Sequence, residues 1–187
     1  MSSTLIIIGV IVLLGIWLVS IYNTLVSLRN HRENAFADID VQLKQRHDLI
    51  PQLLGAVKGY MEHERGTLEA VTNARTRAMS ATSINEKIEA EQQLTSAIRG
   101  LNVQVEAYPD LKASQNFLQL QNEISDIENK LAAVRRFFNA ATKELNIAVQ
   151  KFPNTIFAGM FGFKTEPMFD LGETQRADLD KAPEVKF

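Results

Sequence analysis

Apolar and polar positions divide the chain into an uncharged run, three helix-like stretches and a tail. The run Leu5 to Tyr22 (LIIIGVIVLLGIWLVSIY) carries no charge. As a helix it would reach ~27 Å, close to the thickness of a bilayer core. The chain passes without a loop signal into residues 23–79. There Leu25, Leu28, Phe36, Ile39, Leu43, Ile50, Leu53, Val57, Tyr60, Leu68 and Val71 recur at steps of three and four. That spacing predicts one long helix with a single buried seam, interrupted at Arg32, Arg46 and Glu64. Pro51 removes a backbone donor, so a kink is expected near 48–51. Gly55 and Gly59 share one helix face and read as a packing notch.

Residues 80–83 (SATS) form a turn-like cluster, and Ser83 with Glu86 fits a capping box that opens a second helix over 84–107. Its stripe is Ile84, Ile88, Leu94, Ile98, Leu101 and Val105, and Pro109 lies beyond its end. A third helix, 114–152, has the cleanest seam: Phe117, Leu120, Ile124, Ile127, Leu131, Val134, Phe138, Ala141, Leu145, Ala148 and Phe152. Pro153 closes it. Residues 154–163 gather Ile156, Phe157, Met160, Phe161 and Phe163 around two glycines, and predict a short segment folded back on the bundle. The tail 165–187 has no sustained period and is expected to be extended or mobile. The expected fold is all-α, a transmembrane helix over 5–22 behind a short end at 1–4. It continues into an antiparallel up-down-up bundle over 23–164 with coiled-coil-like packing.

Charge and composition narrow the function more than they define it. A net charge of −2 over 187 residues gives no basic excess, and no nucleic-acid partner is expected. The absence of cysteine removes disulfides, thiolate metal sites and thiol nucleophiles together. The first four residues lack the basic region of a signal peptide, so the apolar run is expected to stay as an anchor. Arg29, Arg32, Lys44 and Arg46 follow it. By the positive-inside rule, the short N-terminus lies outside and the body in the cytoplasm, at a bacterial inner membrane.

Chemistry was sought and little was found. His63-Glu64 starts like a zinc-protease helix, but Thr67 stands where the second histidine belongs. His31, His47 and His63 turn to different faces of a continuous helix and cannot share one metal. Phosphate-loop and nucleophile-elbow motifs are missing. No catalytic residue, metal or cofactor is expected. The polar string over Asp38, Asp40, Arg46, Asp48 and Pro51 is the one constellation of interest. Arg46 falls on the apolar seam and calls for a carboxylate partner, with Glu123, Asp126 or Glu128 as the options. Such a layer either fixes helix register or docks a partner. Phe157, Met160, Phe161 and Phe163 pack against the bundle, or else contact a membrane interface or a second copy. Arg75, Arg77, Arg135 and Arg136 read as solvated faces or interhelical pairs.

The strings YNTLVSLRNHRENAFADIDVQLKQRHDLIPQLLGAVKGYMEHERGTLEAVTNAR and LQNEISDIENKLAAVRRFFNAATKELNIAVQKFPNTIFAGMFGFK resemble the two defining blocks of the bacterial LemA family. The resemblance covers about residues 22–164, and the tail beyond Thr165 is less typical of it. It implies a single-pass membrane protein with a helical body and no catalytic residues to carry over. Three functions are then in play. One is a scaffold that self-associates to cover seam that a short second helix leaves bare. Another is an adaptor binding a further membrane protein, such as a protease or transporter, through Asp38–Pro51. The third is a membrane-remodelling protein. The lipid bilayer is a partner in all three.

Overall fold

The computed structural model describes residues 2–170, and every regular element among them is helical. In chain order these are α1 (Ser2–Lys58), α2 (Arg65–Ser80), α3 (Ile84–Val105), α4 (Pro109–Lys112), α5 (Gln115–Gln150) and α6 (Asn154–Ala158). The apolar run and the polar string lie on one uninterrupted helix, α1. The residues form two compact units: Met1–Asp38 with Val134–Met168, and Ile39–Ala133 with Phe169 and Asp170 among the described residues.

In the second unit the chain reverses at residues 59–64, where Gly59 follows the lysine that ends α1. The Arg75 side chain on α2 then reaches back to the His47 backbone on α1. Farther on, α3 runs alongside α1 in the same sense, with Lys87 beside Asp40 and Glu91 beside Arg46 and His47. The first half of α5 runs the opposite way and brings Glu128 to Arg46. Ile50, Leu53, Val57 and Met61 interlock with Val71, Leu94, Ile98, Leu101, Leu111, Phe117 and Leu120. Each fully buried side chain of this size contributes about 1.5–3 kcal/mol of transfer free energy.

The first unit joins Ile21 and Leu25 of α1 to Leu145 and Val149 of α5, and seals them with Ala158 and Phe163. Gly162 adopts a φ of 75°, a left-handed conformation that suits a residue without a Cβ. This turn closes α6 and lets the Phe163 N–H donate to the Ala158 carbonyl at 2.8 Å.

The all-α architecture, the capping box and the seam of α5 agree with the sequence. Both arms of the box are present, and the Glu86 N–H donates to Ser83 Oγ at 3.2 Å. The long helix expected over 23–79 is instead α1 and α2 with a reversal between them. Alternation of direction holds, with one more turn than a three-helix count provides. Pro51 lies inside α1, which continues seven residues past it to Lys58. Gly55 and Gly59 form no notch, since a Cβ at either would meet nothing within 4 Å. Phe152 leaves the seam and is 74% exposed, while Val149 takes the last buried place.

The start of the tail is also packed. Asn146 grips residue 166 at both ends of its peptide, with the Glu166 N–H donating to Oδ1 at 2.8 Å and Nδ2 donating to the Glu166 carbonyl at 2.9 Å. In the second unit Phe169 is buried, and Gln92 donates to the Asp170 carbonyl at 2.7 Å. The remainder of the expected mobile tail lies outside the described residues.

Candidate functional site

Arg46 sits where the seam of α1 demands an apolar residue, and its side chain is only 3% exposed. A buried guanidinium is tolerable only if its donors are met. Nη1 donates to Glu91 Oε2 at 3.1 Å, while Nη2 serves Glu128 Oε1 and Thr95 Oγ1, each at 3.0 Å. Glu91 is 1% exposed and fully engaged, because His47 Nε2 meets its other oxygen at 2.5 Å. Glu91 thus bridges the Arg46 guanidinium and the His47 ring. Three helices are thus tied through one arginine. Nη1 and Nη2 are met in this way, whereas the buried Nε has no hydrogen-bond partner among the described residues.

Of the expected partners for Arg46, the structure selects Glu128. Glu123 instead accepts from Gln119. The closest buried partner, Glu91, escaped the sequence reading although its signal was available. It lies three residues from both Ile88 and Leu94, on the buried stripe of α3, by the same logic that exposed Arg46.

A second device concerns Pro51. In an unbroken helix the N–H of residue 51 would bond to the His47 carbonyl, and proline has none. Arg75 Nε donates to that carbonyl at 2.8 Å instead. Arg75 is therefore an interhelical clamp. Asp40 pairs with Lys87 at 2.6 Å, whereas Asp38, Asp48 and Pro51 are exposed. Beside the buried layer lies a cleft of about 390 Å³ lined by Asp40, Lys44, His47, Asp48, Met79 and Lys87. Among the described residues no three histidine, aspartate or glutamate side chains gather into a metal-binding group.

The first unit repeats the seam arginine. Arg32 is buried over the Phe138 ring at 4.9 Å and donates to Thr142 Oγ1 at 3.2 Å and to the Pro167 carbonyl at 3.3 Å. Burial lowers its pKa from the ordinary arginine value, with Glu166 and then Glu33 opposing that shift. Of the aromatic candidates, Phe163 is buried and Phe157 is partly buried. Phe161 is 39% exposed and Met160 78% exposed. Phe157 meets Trp17 edge-on at 6.0 Å, and Tyr22 does the same with Phe161 at 5.2 Å.

Fold and site define an all-helical protein with one helix long and apolar enough to cross a membrane and a buried polar layer that ties three helices together. The chain belongs to the LemA family, whose model matches residues 35–187. That match reaches through the tail set apart as less typical. The chain is 29% identical to Protein LemA of Metamycoplasma hominis, over 84% of this chain and 73% of that protein. It is 30% identical to Magnetosome protein MamQ of Magnetospirillum gryphiswaldense over 40% of this chain, which spans 27% of that protein. Magnetosome protein MamQ 2 of Paramagnetospirillum magneticum is 21% identical, over 79% of this chain and 64% of that protein.

Proposed function

We propose that the protein is a membrane-anchored, non-enzymatic helical scaffold that self-assembles at the inner face of the bacterial membrane. The observation that carries this reading is the continuity of α1. A membrane-length apolar segment runs without a break into a helix pinned by two buried arginines. Such a joint transmits position and load from the bilayer to the bundle, where a flexible linker would not. The cationic residues that follow the span, Arg29 and Lys44 among them, favour a cytoplasmic body.

Self-association takes a different surface from the one expected. The seam of α5 is buried within the chain at Phe117, Leu120, Ile127, Leu131, Phe138, Ala141 and Leu145, so bare seam does not motivate it. Exposed apolar residues such as Phe137 and Ile147 on α5 supply the contact in this reading. The mass of the full-length protein, gently extracted from membranes, tests it. A uniform multi-copy species that Ile147→Asp dissociates is expected. A monomer overturns self-assembly. Phe138→Asp is unsuitable as a control because Phe138 is fully buried beneath Arg32 and would damage the fold.

The cleft beside His47 favours a second reading, an adaptor for another membrane protein. It offers Lys44 and Asp48 at its rim with exposed Met79 as an apolar contact. Loss of a co-purifying partner in Asp48→Lys, with the melting temperature unchanged, would support the adaptor over the scaffold.

A further inference from the structure

The segment that closes the first unit is placed beside the end of the apolar helix. Trp17 and Tyr22 of α1 touch Phe157, Phe161 and Phe163, and Ile21 is buried with Ala158 and Phe163. Trp17 precedes the end of the uncharged run by about 8 Å of helix rise. Whatever depth that end takes in a bilayer, residues 156–161 take too.

The outer face of this segment is apolar, and among the described residues it is left exposed. Phe152, Ile156 and Met160 are 74%, 55% and 78% exposed. These are large side chains facing outward next to a helix whose own apolar surface is equally bare. The charges stand where water would begin. Lys151 and Lys164 flank the segment and are exposed, and the Arg29 guanidinium lies 5.2 Å from the Phe163 ring centroid. An apolar face rimmed by cations and aromatic rings is the composition of an interfacial anchor. Aromatic rings concentrate at that depth because their bodies are apolar and their edges tolerate water.

We infer that residues 152–161 form a second membrane contact, seated in the headgroup–acyl boundary of an anionic bilayer on the side of the helical body. The inference rests on the anchor reading above and deepens it. The first unit is held to the bilayer at two points, a helix and a collateral wedge.

The test uses the full-length chain, which contains no cysteine, so a single introduced thiol takes a fluorophore uniquely. Met160→Cys and Ile156→Cys are compared with Ile11→Cys in the apolar run and Val103→Cys on the exposed face of α3. Each is reconstituted in phosphatidylcholine–phosphatidylglycerol vesicles carrying nitroxide lipid. Quenching by that lipid at positions 156 and 160, several-fold above that at 103, is the expected result. Strong iodide quenching at 156 and 160, equal to that at 103 while position 11 remains lipid-quenched, overturns the wedge and leaves the anchor standing. Absence of lipid quenching at position 11 overturns the anchor reading, and the wedge falls with it. Shielding of 156 and 160 from both quenchers also overturns the wedge, since protein then covers the face.

Discussion

Pro51 leaves the His47 carbonyl without its helical donor, and Arg75 supplies the replacement from another helix. A hydrogen bond from a charged donor to an otherwise orphaned carbonyl contributes about 1.5–3 kcal/mol. Arg75→Ala should cost about that much in denaturant unfolding of the full chain. In a Pro51→Ala background the restored N–H at residue 51 serves the carbonyl, and the cost of losing Arg75 should shrink. Equal costs in the two backgrounds would show that the carbonyl is not what Arg75 serves. The buried ion pair permits a companion comparison. Glu91→Ala leaves Arg46 Nη1 and the His47 ring without their shared carboxylate while Nη2 keeps Glu128 and Thr95, and should cost about 1–3 kcal/mol. Arg46→Met with Glu91→Leu should recover most of that loss. If the double variant is as unstable as the single, the pair is contributing stability of its own. Arg46 was legible because a charge on an apolar stripe is an anomaly that periodicity alone reveals. Arg32 was legible for the same reason. Its partners Thr142 and the Pro167 carbonyl were not, since a small polar residue passes unnoticed on a seam and a backbone carbonyl leaves no trace in sequence.

At the scale of elements, the start of α3 and the stops before Pro109 and Pro153 were legible, whereas the reversal between α1 and α2 was not. The α3 N-terminus is written in side-chain chemistry, with Ser83 and Glu86 exchanging hydrogen bonds across the first turn. Ser83→Ala should cost about 1 kcal/mol. The backbone N–H of Ser83, then that of Thr82, holds the Glu86 carboxyl below the usual carboxylate range. A carboxyl depressed in the folded state stabilises fully above its unfolded value, and the gain is lost as pH falls through the folded value. Amide protection at the start of α3 should therefore exceed that of Glu86→Gln at neutral pH and converge with it in acid. Protection that differs equally at both pH values would contradict the cap. The α2 N-terminus, by contrast, has Glu64 at its cap with no side-chain hydrogen bond. The three–four spacing also carries across the reversal, with Tyr60 and Leu68 in register, so the seam hid the turn. Met61 fills the core there and Tyr60 faces out. Only Lys58-Gly59 marked the stop, and glycine pairs four apart invite another explanation. The Asn146 grip on residue 166 was equally silent, because it joins a helix side chain to a backbone with no pattern of its own.

At the scale of the whole molecule, the end of the apolar run packs as part of the folded first unit. Ile21 and Leu25 are buried, and Trp17 and Tyr22 brace the aromatic segment that closes the first unit. Removal of the first 22 residues would take Trp17, Ile21 and Tyr22 out of these contacts. A chain beginning at residue 23 should accordingly lose order in one place only. Amides of 154–163 should exchange with solvent markedly faster than in the full-length protein held in detergent micelles. Those of α2 and α3 should be unchanged, because their core of Val71, Leu94 and Leu101 draws nothing from the first 22 residues. Hydrogen exchange read by mass spectrometry separates these regions directly. Uniform loss of protection would mean that the two units fold as one, and unchanged protection at 154–163 would mean that the aromatic contacts with Trp17 and Tyr22 contribute little. The expected local loss would make the end of the apolar run a structural member that completes the core of the first unit.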